Sequence, residues 1–265
     1  MNGTLTASYE LPTPALEFRG TPLLHPLTSV ADARATLERS ASGLTLTVEM
    51  RTANREGAAA VANALAAEFA KFLTLHLADH IGAAVVAKRT GVNFVPDDPT
   101  ANVLLVEHVS IAFEGPRATL ITGLSIDSAA AALTEFDLRR SAPTPAFAAD
   151  LAIAREMFFV GMTIENLVIR FLTLYSSLAL LATFKGGNGD QAAVDRLLTA
   201  EDPSIRTDPP PPSSGKTRHE TPYTAARNTL IHAESRGKNP AAAIAEVERI
   251  TPEFRSLVAR ILKKG

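Results

Sequence analysis

The chain has 265 residues, of which 46% are hydrophobic and 20% charged, with a formal net charge of −2 and no cysteine. This length suits one large domain or two smaller ones with a packed core. The lack of cysteine excludes disulfides, thiolate metal sites and a cysteine nucleophile, and proteins without disulfides are common in the cytoplasm. There is no signal-peptide pattern, and polar residues interrupt the most apolar stretch, 157–184, so we expect a soluble cytoplasmic protein with no membrane span.

The first half of the sequence predicts strands and one long helix. Residues 44–50 alternate between apolar and polar side chains, which indicates a half-buried strand. Between residues 55 and 81, apolar side chains recur every three or four positions, as on one face of a helix. Further strands are predicted at 16–18, 23–25, 83–95, 103–113 and 117–126, with a turn at 114–116 and a short helix at 128–139. Strands around one long helix predict an α+β module.

The pattern changes at the sequence Ala-Pro-Thr-Pro, residues 142–145, which we take as a domain boundary. It divides the chain into an α+β module, residues 1–143, and an all-helical domain, residues 144–265. The helical domain begins with a helix that runs to Phe184, either long or kinked near Gly161, and continues with a short helix at 190–200.

The rest of the helical domain contains one segment that the sequence predicts to be flexible. Residues 202–219 include four consecutive prolines, a Ser-Ser-Gly stretch and almost no apolar side chain. Beyond this loop, Thr221-Pro222, Asn239-Pro240 and Thr251-Pro252 each combine a capping residue with a proline, a pair that favours the start of a helix. Three helices are therefore predicted after the loop.

The first of these helices carries Arg227, Asn228 and His232. Residues four apart share a helix face, so the side chains of Asn228 and His232 are expected to form a hydrogen bond that fixes the histidine tautomer. Arg227 lies on the neighbouring face, about 140° from His232, and its long side chain can reach the same pocket.

Arginine and histidine in this arrangement suit the cleavage of RNA without a metal or another cofactor. Arginine binds phosphate through two hydrogen bonds, histidine transfers a proton near neutral pH, and the 2′-hydroxyl of RNA is an internal nucleophile. Arg227, His232 and Asn228 are therefore the candidate catalytic residues. Alternatively, the arginine and the histidine join a surface salt-bridge cluster with Glu234 and Arg236, or His232 is a hydrogen-bonded core residue.

Residues 220–232 read Glu-Thr-Pro-Tyr-Thr-Ala-Ala-Arg-Asn-Thr-Leu-Ile-His. They resemble the E-T-x-Y-T-x-x-R-N-x-x-x-H stretch of HEPN superfamily helical domains, including bacterial proteins described as MauJ-like or Apea-like. The likeness extends over about 110 residues at the carboxyl-terminal end, and no family resemblance accounts for the first half. It implies a helical bundle, dimers in which two motifs face each other, and either RNase activity in defence or stress or a non-catalytic role. By residue match, Arg227 and His232 take the catalytic positions and Asn228 the polar position after the arginine.

RNA and a second copy of the chain are the expected partners. Residues 203–265 carry a net charge of +5 and the remainder −7, so the carboxyl-terminal portion can attract phosphate, although such a charge also fits a solvated helical surface. Lys216, Arg218, Tyr223 and Arg236 are the candidate nucleic-acid contacts. The alternatives are a non-catalytic module for dimerisation, nucleotide binding or partner binding, and a purely structural accessory protein. His76 and His80 have a spacing known from zinc sites but lack a third ligand, so no metal site is predicted.

Overall fold

The protein is described by a computed structural model, which covers residues 2–13, 16–98, 107–108, 122–142, 148–185, 189–209, 219–232 and 239–264. Internal contacts divide the chain into two units. The sheet unit comprises Met1–Thr74 and Val85–Pro143, and the helical unit comprises Leu75–Ala84 and Thr144–Gly265. The predicted α+β class is confirmed, because antiparallel strands form the first unit and helices form the second.

A six-stranded antiparallel sheet with the order β3-β4-β5-β1-β6-β7 forms the base of the sheet unit. A separate parallel pair joins β2 to β8. The strands are β1 (Gly3–Pro12), β2 (Leu16–Arg19), β3 (Leu23–Pro26), β4 (Ala33–Ser40), β5 (Gly43–Thr52), β6 (Lys88–Pro96), β7 (Glu107–His108) and β8 (Thr122–Ser125). The strands predicted at 16–18, 23–25 and 44–50 are confirmed. The turn predicted at 114–116, and most of the two strands on either side of it, lie outside the described residues.

Two helices, α1 (Arg55–His76) and α2 (Ile126–Ser141), accompany the sheet. The Tyr9 hydroxyl of β1 donates a hydrogen bond to Asn63 Oδ1 of α1 at 2.7 Å, and the rings of Phe69 and Phe136 join α1 to α2 at 5.5 Å. Among the described helices, α1 alone has the length and the mean hydropathy, 1.3, of a membrane span, but half of that stretch is buried in the fold. This burial is typical of a core helix.

The helical unit contains α3 (Ala148–Thr163), α4 (Leu167–Phe184), α5 (Gln191–Glu201), α6 (Pro222–Ile231) and α7 (Pro240–Lys264). The long helix predicted up to Phe184 is therefore two helices. The interruption comes after Thr163, where Asn166 caps α4 by accepting hydrogen bonds from the N–H groups of Val168 and Ile169, each at 3.1 Å. Gly161 remains helical and packs tightly against Leu174, because a Cβ at this position would lie 3.2 Å from Leu174 Cδ2.

The prediction of a separate last helix at Thr251-Pro252 was wrong, since α7 runs through Pro252 without interruption. A proline inside a helix removes one backbone hydrogen bond. The apolar face of α7 is nevertheless continuous across this point: Val247, Ile250, Phe254 and Leu257 are all buried. Burial of this stripe stabilises the helix on both sides of the proline.

An aromatic cluster forms part of the core of the helical unit. Phe254 of α7 lies 5.0 Å from Phe171, 6.3 Å from Tyr175 and 4.8 Å from Tyr223, measured between ring centroids. These rings come from α4, α6 and α7. The cluster therefore fixes α6, which carries the candidate motif, against the two longest helices of the unit.

Candidate functional site

A cleft of 880 Å³ lies between α4, the start of α5 and α6, entirely within the helical unit. One wall is apolar and comes mainly from α4, while the opposite side is polar. The described residues that line it are Leu172, Tyr175, Ser176, Ala179, Gly189, Asp190, Gln191, Ala192, Glu220, Arg227 and Ile231. Volumes of this size are typical of small-molecule sites.

Arg227 lies in the middle of α6 and lines this cleft. Its Cζ lies 5.9 Å from the centroid of the Tyr175 ring, within the range of a cation–π interaction. Its Nη1 donates a hydrogen bond of 3.1 Å to Asn228 Oδ1. A cation–π contact with Tyr175 and a hydrogen bond to Asn228 thus orient the guanidinium group.

Asn228 is 3% exposed, and its side-chain amide uses every hydrogen-bonding position it has. Oδ1 accepts from Gln191 Nε2 at 2.7 Å and from Arg227 Nη1 at 3.1 Å. Nδ2 donates to Gln191 Oε1 and to Glu220 Oε2, both at 3.1 Å. The predicted hydrogen bond between the side chains of Asn228 and His232 was therefore wrong, because the amide has no position left for the imidazole. Asn228 instead connects Arg227 to the polar side of the cleft.

A network of buried hydroxyl groups holds the residues of the cleft in place. The Thr221 and Thr224 hydroxyls each donate to Asp195 Oδ1 at 2.6 Å, and the Asp195 carboxylate is buried. Because the Thr224 hydrogen points to Asp195, the Tyr175 hydroxyl must be the donor in its 2.8 Å contact with Thr224 Oγ1. This series of hydrogen bonds fixes the Tyr175 ring, against which Arg227 packs.

Local sequence explains how α6 begins at the cleft. Thr221 is the N-cap and accepts a hydrogen bond from the Thr224 N–H at 3.3 Å, and Pro222 occupies the first turn, as predicted. Just before the cap, the backbones of Glu220 and Asp208 exchange two hydrogen bonds of 2.9 Å. This bridge positions the buried Glu220 carboxylate beside Asn228.

His232 is the C-cap residue that follows α6, and its N–H donates to the Asn228 carbonyl oxygen at 3.1 Å. Its side chain is half-buried. The described residues around the cleft include Arg227 and Ile231, which are one helical turn apart, but not His232. Arg227 thus lines the cleft, whereas His232, at the end of the same helix, does not.

Among the predicted nucleic-acid contacts, Tyr223 is 3% exposed and stacks on Phe254 in the core. Burial, and next the neighbouring Glu253, raise the pKa of Tyr223 above its ordinary value. Its ring is therefore not free to stack on a base, and this prediction is corrected. Lys216, Arg218 and Arg236 lie outside the described residues.

Three residues of the site could not be identified from spacing alone. Tyr175 and Gln191 come from other helices and lie far from the motif in the chain, and Glu220 precedes α6. Glu220 was nevertheless within the stretch that resembles the HEPN motif, which was the one signal for it. Among the described residues, no group of three or more His, Cys, Asp or Glu side chains is arranged to hold a metal ion.

No protein-family model, curated protein or solved structure matches this chain.

Proposed function

We propose that the helical unit is a HEPN-like module that binds a phosphate-bearing nucleotide, free or as part of RNA, in the cleft beside Arg227. The observation that carries the proposal is the orientation of Arg227 towards the cleft by Tyr175 and Asn228. A guanidinium held in this way loses little conformational freedom when it binds phosphate, which favours affinity.

The other walls of the cleft suit the remaining parts of a nucleotide. Leu172, Ala179 and Ile231 offer apolar surface for a base. Gln191 and Glu220 lie on the polar side, where their carbonyl and carboxylate oxygens can accept hydrogen bonds from an amino group or a ribose hydroxyl. The negative charge of Glu220 opposes a second phosphate near it, so we expect one phosphate to bind close to Arg227.

Metal-independent cleavage of RNA is the second candidate function, and the half-buried His232 at the end of α6 favours it. In this reaction Arg227 stabilises the phosphate while His232 moves the proton of the 2′-hydroxyl. Because His232 does not line the cleft that contains Arg227, the two groups act together only if the cleft rearranges or if a second copy supplies one of them. A role in defence or stress belongs to this second candidate.

One set of measurements separates the two functions. Wild type and the variants Arg227→Ala, His232→Ala and Arg249→Ala are tested for nucleotide binding, for RNA cleavage in EDTA and for Tm. Arg249 is the control because it is an exposed arginine on α7 that pairs with Glu246.

The binding module predicts that Arg227→Ala weakens nucleotide binding by about tenfold or more, whereas His232→Ala and Arg249→Ala change it little. The nuclease predicts cleavage by wild type that falls by about two orders of magnitude in both Arg227→Ala and His232→Ala. Absence of nucleotide binding and of cleavage in a folded wild-type protein would contradict both proposals and favour a purely structural role.

A further inference from the structure

Two arginines converge on the turn that follows α1, within the helical unit and away from the cleft. Arg170 of α4 donates from Nε to the Ile164 carbonyl oxygen at 2.7 Å and from Nη1 to the Gly82 carbonyl oxygen at 2.6 Å. Arg255 of α7 approaches the same glycine, since a Cβ built on Gly82 would lie 3.9 Å from Arg255 Nη1. Both guanidinium groups are therefore neighbours of Gly82.

The described part of the chain does not fill the hydrogen-bonding capacity of this pair. A guanidinium has five N–H donors, and among the described residues the bonds to Ile164 and Gly82 use only two of those of Arg170. Arg255 Nε is buried and has no hydrogen-bond partner among the described residues. A buried charged donor without an acceptor is unfavourable, and an external acceptor would remove that penalty.

Among the described residues, the two positive charges also have no carboxylate in direct contact. Burial, and next the proximity of Arg170, lower the pKa of Arg255, and only Asp79 acts in the opposite direction. Burial likewise lowers the pKa of Arg170, against the attraction of Glu165. In the part of the chain that the structure describes, neither Asp79 nor Glu165 forms a hydrogen bond or an ion pair with either guanidinium. An anion placed between the arginines would relieve their mutual repulsion.

We propose that Arg170 and Arg255 form an oxyanion site for a phosphate group, either inorganic phosphate or the terminal monoester of a small metabolite. The guanidinium group of arginine can donate two parallel hydrogen bonds to the oxygens of a phosphate. Both side chains are only half-buried, so a phosphate can reach them from solvent. Inorganic phosphate and a terminal monoester share the doubly negative group that two adjacent guanidinium groups neutralise.

This site is separate from the cleft beside Arg227. Around α4, Arg170 lies at least about 120° from each of Leu172, Tyr175, Ser176 and Ala179, which face the cleft. Arg255 belongs to α7, which contributes nothing to the described lining of the cleft. Occupation of the oxyanion site is thus independent of the nucleotide site proposed above.

The test measures phosphate binding to the full chain by calorimetry, together with the shift in Tm, in an Arg227→Ala background that removes the main phosphate contact of the cleft. Inorganic phosphate, adenosine 5′-monophosphate and the phosphodiester ApA are the three probes. Binding of the first two with a rise in Tm is expected, because a ligand that binds the native state stabilises it. Absence of phosphate binding to this folded background protein would overturn the proposal.

Variants at the pair then identify the site. Arg255→Gln and Arg170→Gln should each weaken phosphate binding by about tenfold or more, and Arg255→Lys, which keeps the charge but loses the fork, by less. Arg249→Gln is the control and should leave phosphate binding unchanged. Unchanged binding in Arg255→Lys and in every folded glutamine variant, or binding of ApA alone, would show that the phosphate site is elsewhere or of another kind.

Discussion

Asp137 shows how one buried carboxylate ties a loop of the sheet unit to a helix. It is 1% exposed and accepts hydrogen bonds from the Thr28 N–H at 2.7 Å, the Thr28 hydroxyl at 2.8 Å and the Ser29 N–H at 3.0 Å. His25 Nε2 lies 3.3 Å away. Burial by itself would raise the pKa of Asp137, but the hydrogen bonds from Ser29 and Thr28 hold it well below its usual range.

The low pKa of Asp137 makes stability depend on pH. Because the folded-state pKa is below the unfolded value of about 3.9, the stabilisation is present above that value and is lost as the pH falls through the folded pKa. We expect Asp137→Asn to lower the free energy of unfolding at pH 7 by about 1–3 kcal/mol, and by less at pH 2. Urea unfolding at both pH values checks this, with Glu135→Gln on the exposed side of α2 as the control. An equal loss at both pH values would contradict it.

Asn228 has a structural role that the motif alone did not reveal. Its partners Gln191 and Glu220 lie 37 and 8 residues away in the chain, and no pattern of short spacing connects them. What the sequence did indicate was the helical position of Asn228 beside Arg227. The hydrogen-bond partners of Asn228 depend on how α5 and the backbone bridge between Asp208 and Glu220 pack against α6, which is set by tertiary structure.

Replacement of Asn228 by alanine should therefore destabilise the helical unit. It leaves the buried Glu220 carboxylate and the Gln191 amide without a shared partner, and we expect a loss of about 1–3 kcal/mol in the free energy of unfolding. Arg227→Ala should cost less, since the half-buried arginine side chain is at the edge of this network. Denaturant unfolding of both variants provides the comparison. A larger loss in Arg227→Ala than in Asn228→Ala would reverse this assignment.

At the scale of elements, α7 shows where local signals mislead. Thr251-Pro252 matched the start of a helix, yet the Thr251 hydroxyl bonds to the Val247 carbonyl oxygen at 2.5 Å inside a continuous helix. The local sequence could not show that the apolar stripe on both sides of Pro252 packs on one core. Burial of that stripe outweighs the loss of one backbone hydrogen bond.

Pro252→Ala should stabilise the protein because it restores the missing N–H of α7. An increase of about 1–3 kcal/mol in the free energy of unfolding is expected, given the effect of proline inside helices. The control is Pro222→Ala at the first turn of α6, where proline is well suited and the change should be neutral or destabilising. Thermal unfolding of both variants measures the difference. Equal changes in the free energy of unfolding at both positions would mean that Pro252 does not destabilise α7.

The central strand of the sheet was the main element missed in the sequence. In β1, Leu5, Ala7, Tyr9 and Leu11 are buried, and threonine, serine and glutamate alternate with them. The small Ala7 weakens the hydrophobic alternation, so the pattern is less obvious than in β5. The pairing of β1 with both β5 and β6 arises from contacts distant in sequence, which no local pattern contains.

At the scale of the whole molecule, dimerisation through the helical unit remains a proposal. Large apolar side chains stand out on its surface: Ile169 is 53% and Ile231 49% exposed, and Ile153 and Val160 of α3 are similarly open. Exposed apolar surface favours association. Sedimentation at micromolar concentration should give about twice the chain mass, and Ile169→Glu should shift the population to monomer. A strict monomer at high concentration would exclude the two-copy arrangement and leave rearrangement of the cleft as the one route by which Arg227 and His232 could act together.

The division of the chain into units gives a further prediction about independent folding. The boundary predicted at residue 143 would leave residues 75–84 outside a fragment that starts at Thr144. Those residues belong to the helical unit, where Leu77 and Ile81 are buried. The backbone of Ala84 donates to the Met162 carbonyl oxygen at 3.1 Å, and Lys263 Nζ donates to the His76 carbonyl oxygen at 2.9 Å.

A fragment of residues 144–265 should accordingly be less stable than the same fragment with residues 75–84 supplied, for example through a flexible linker at its amino terminus. Loss of two large buried side chains alone removes about 3–6 kcal/mol of burial free energy, a large part of the stability of a unit this size. Circular dichroism during thermal unfolding of the two fragments makes the comparison. As a control, a linked segment with Leu77 and Ile81 both changed to serine should not restore stability, since the hydrogen bonds alone contribute less than the burial. Equal Tm values for the three fragments would show that residues 75–84 are dispensable and that the unit is complete from residue 144.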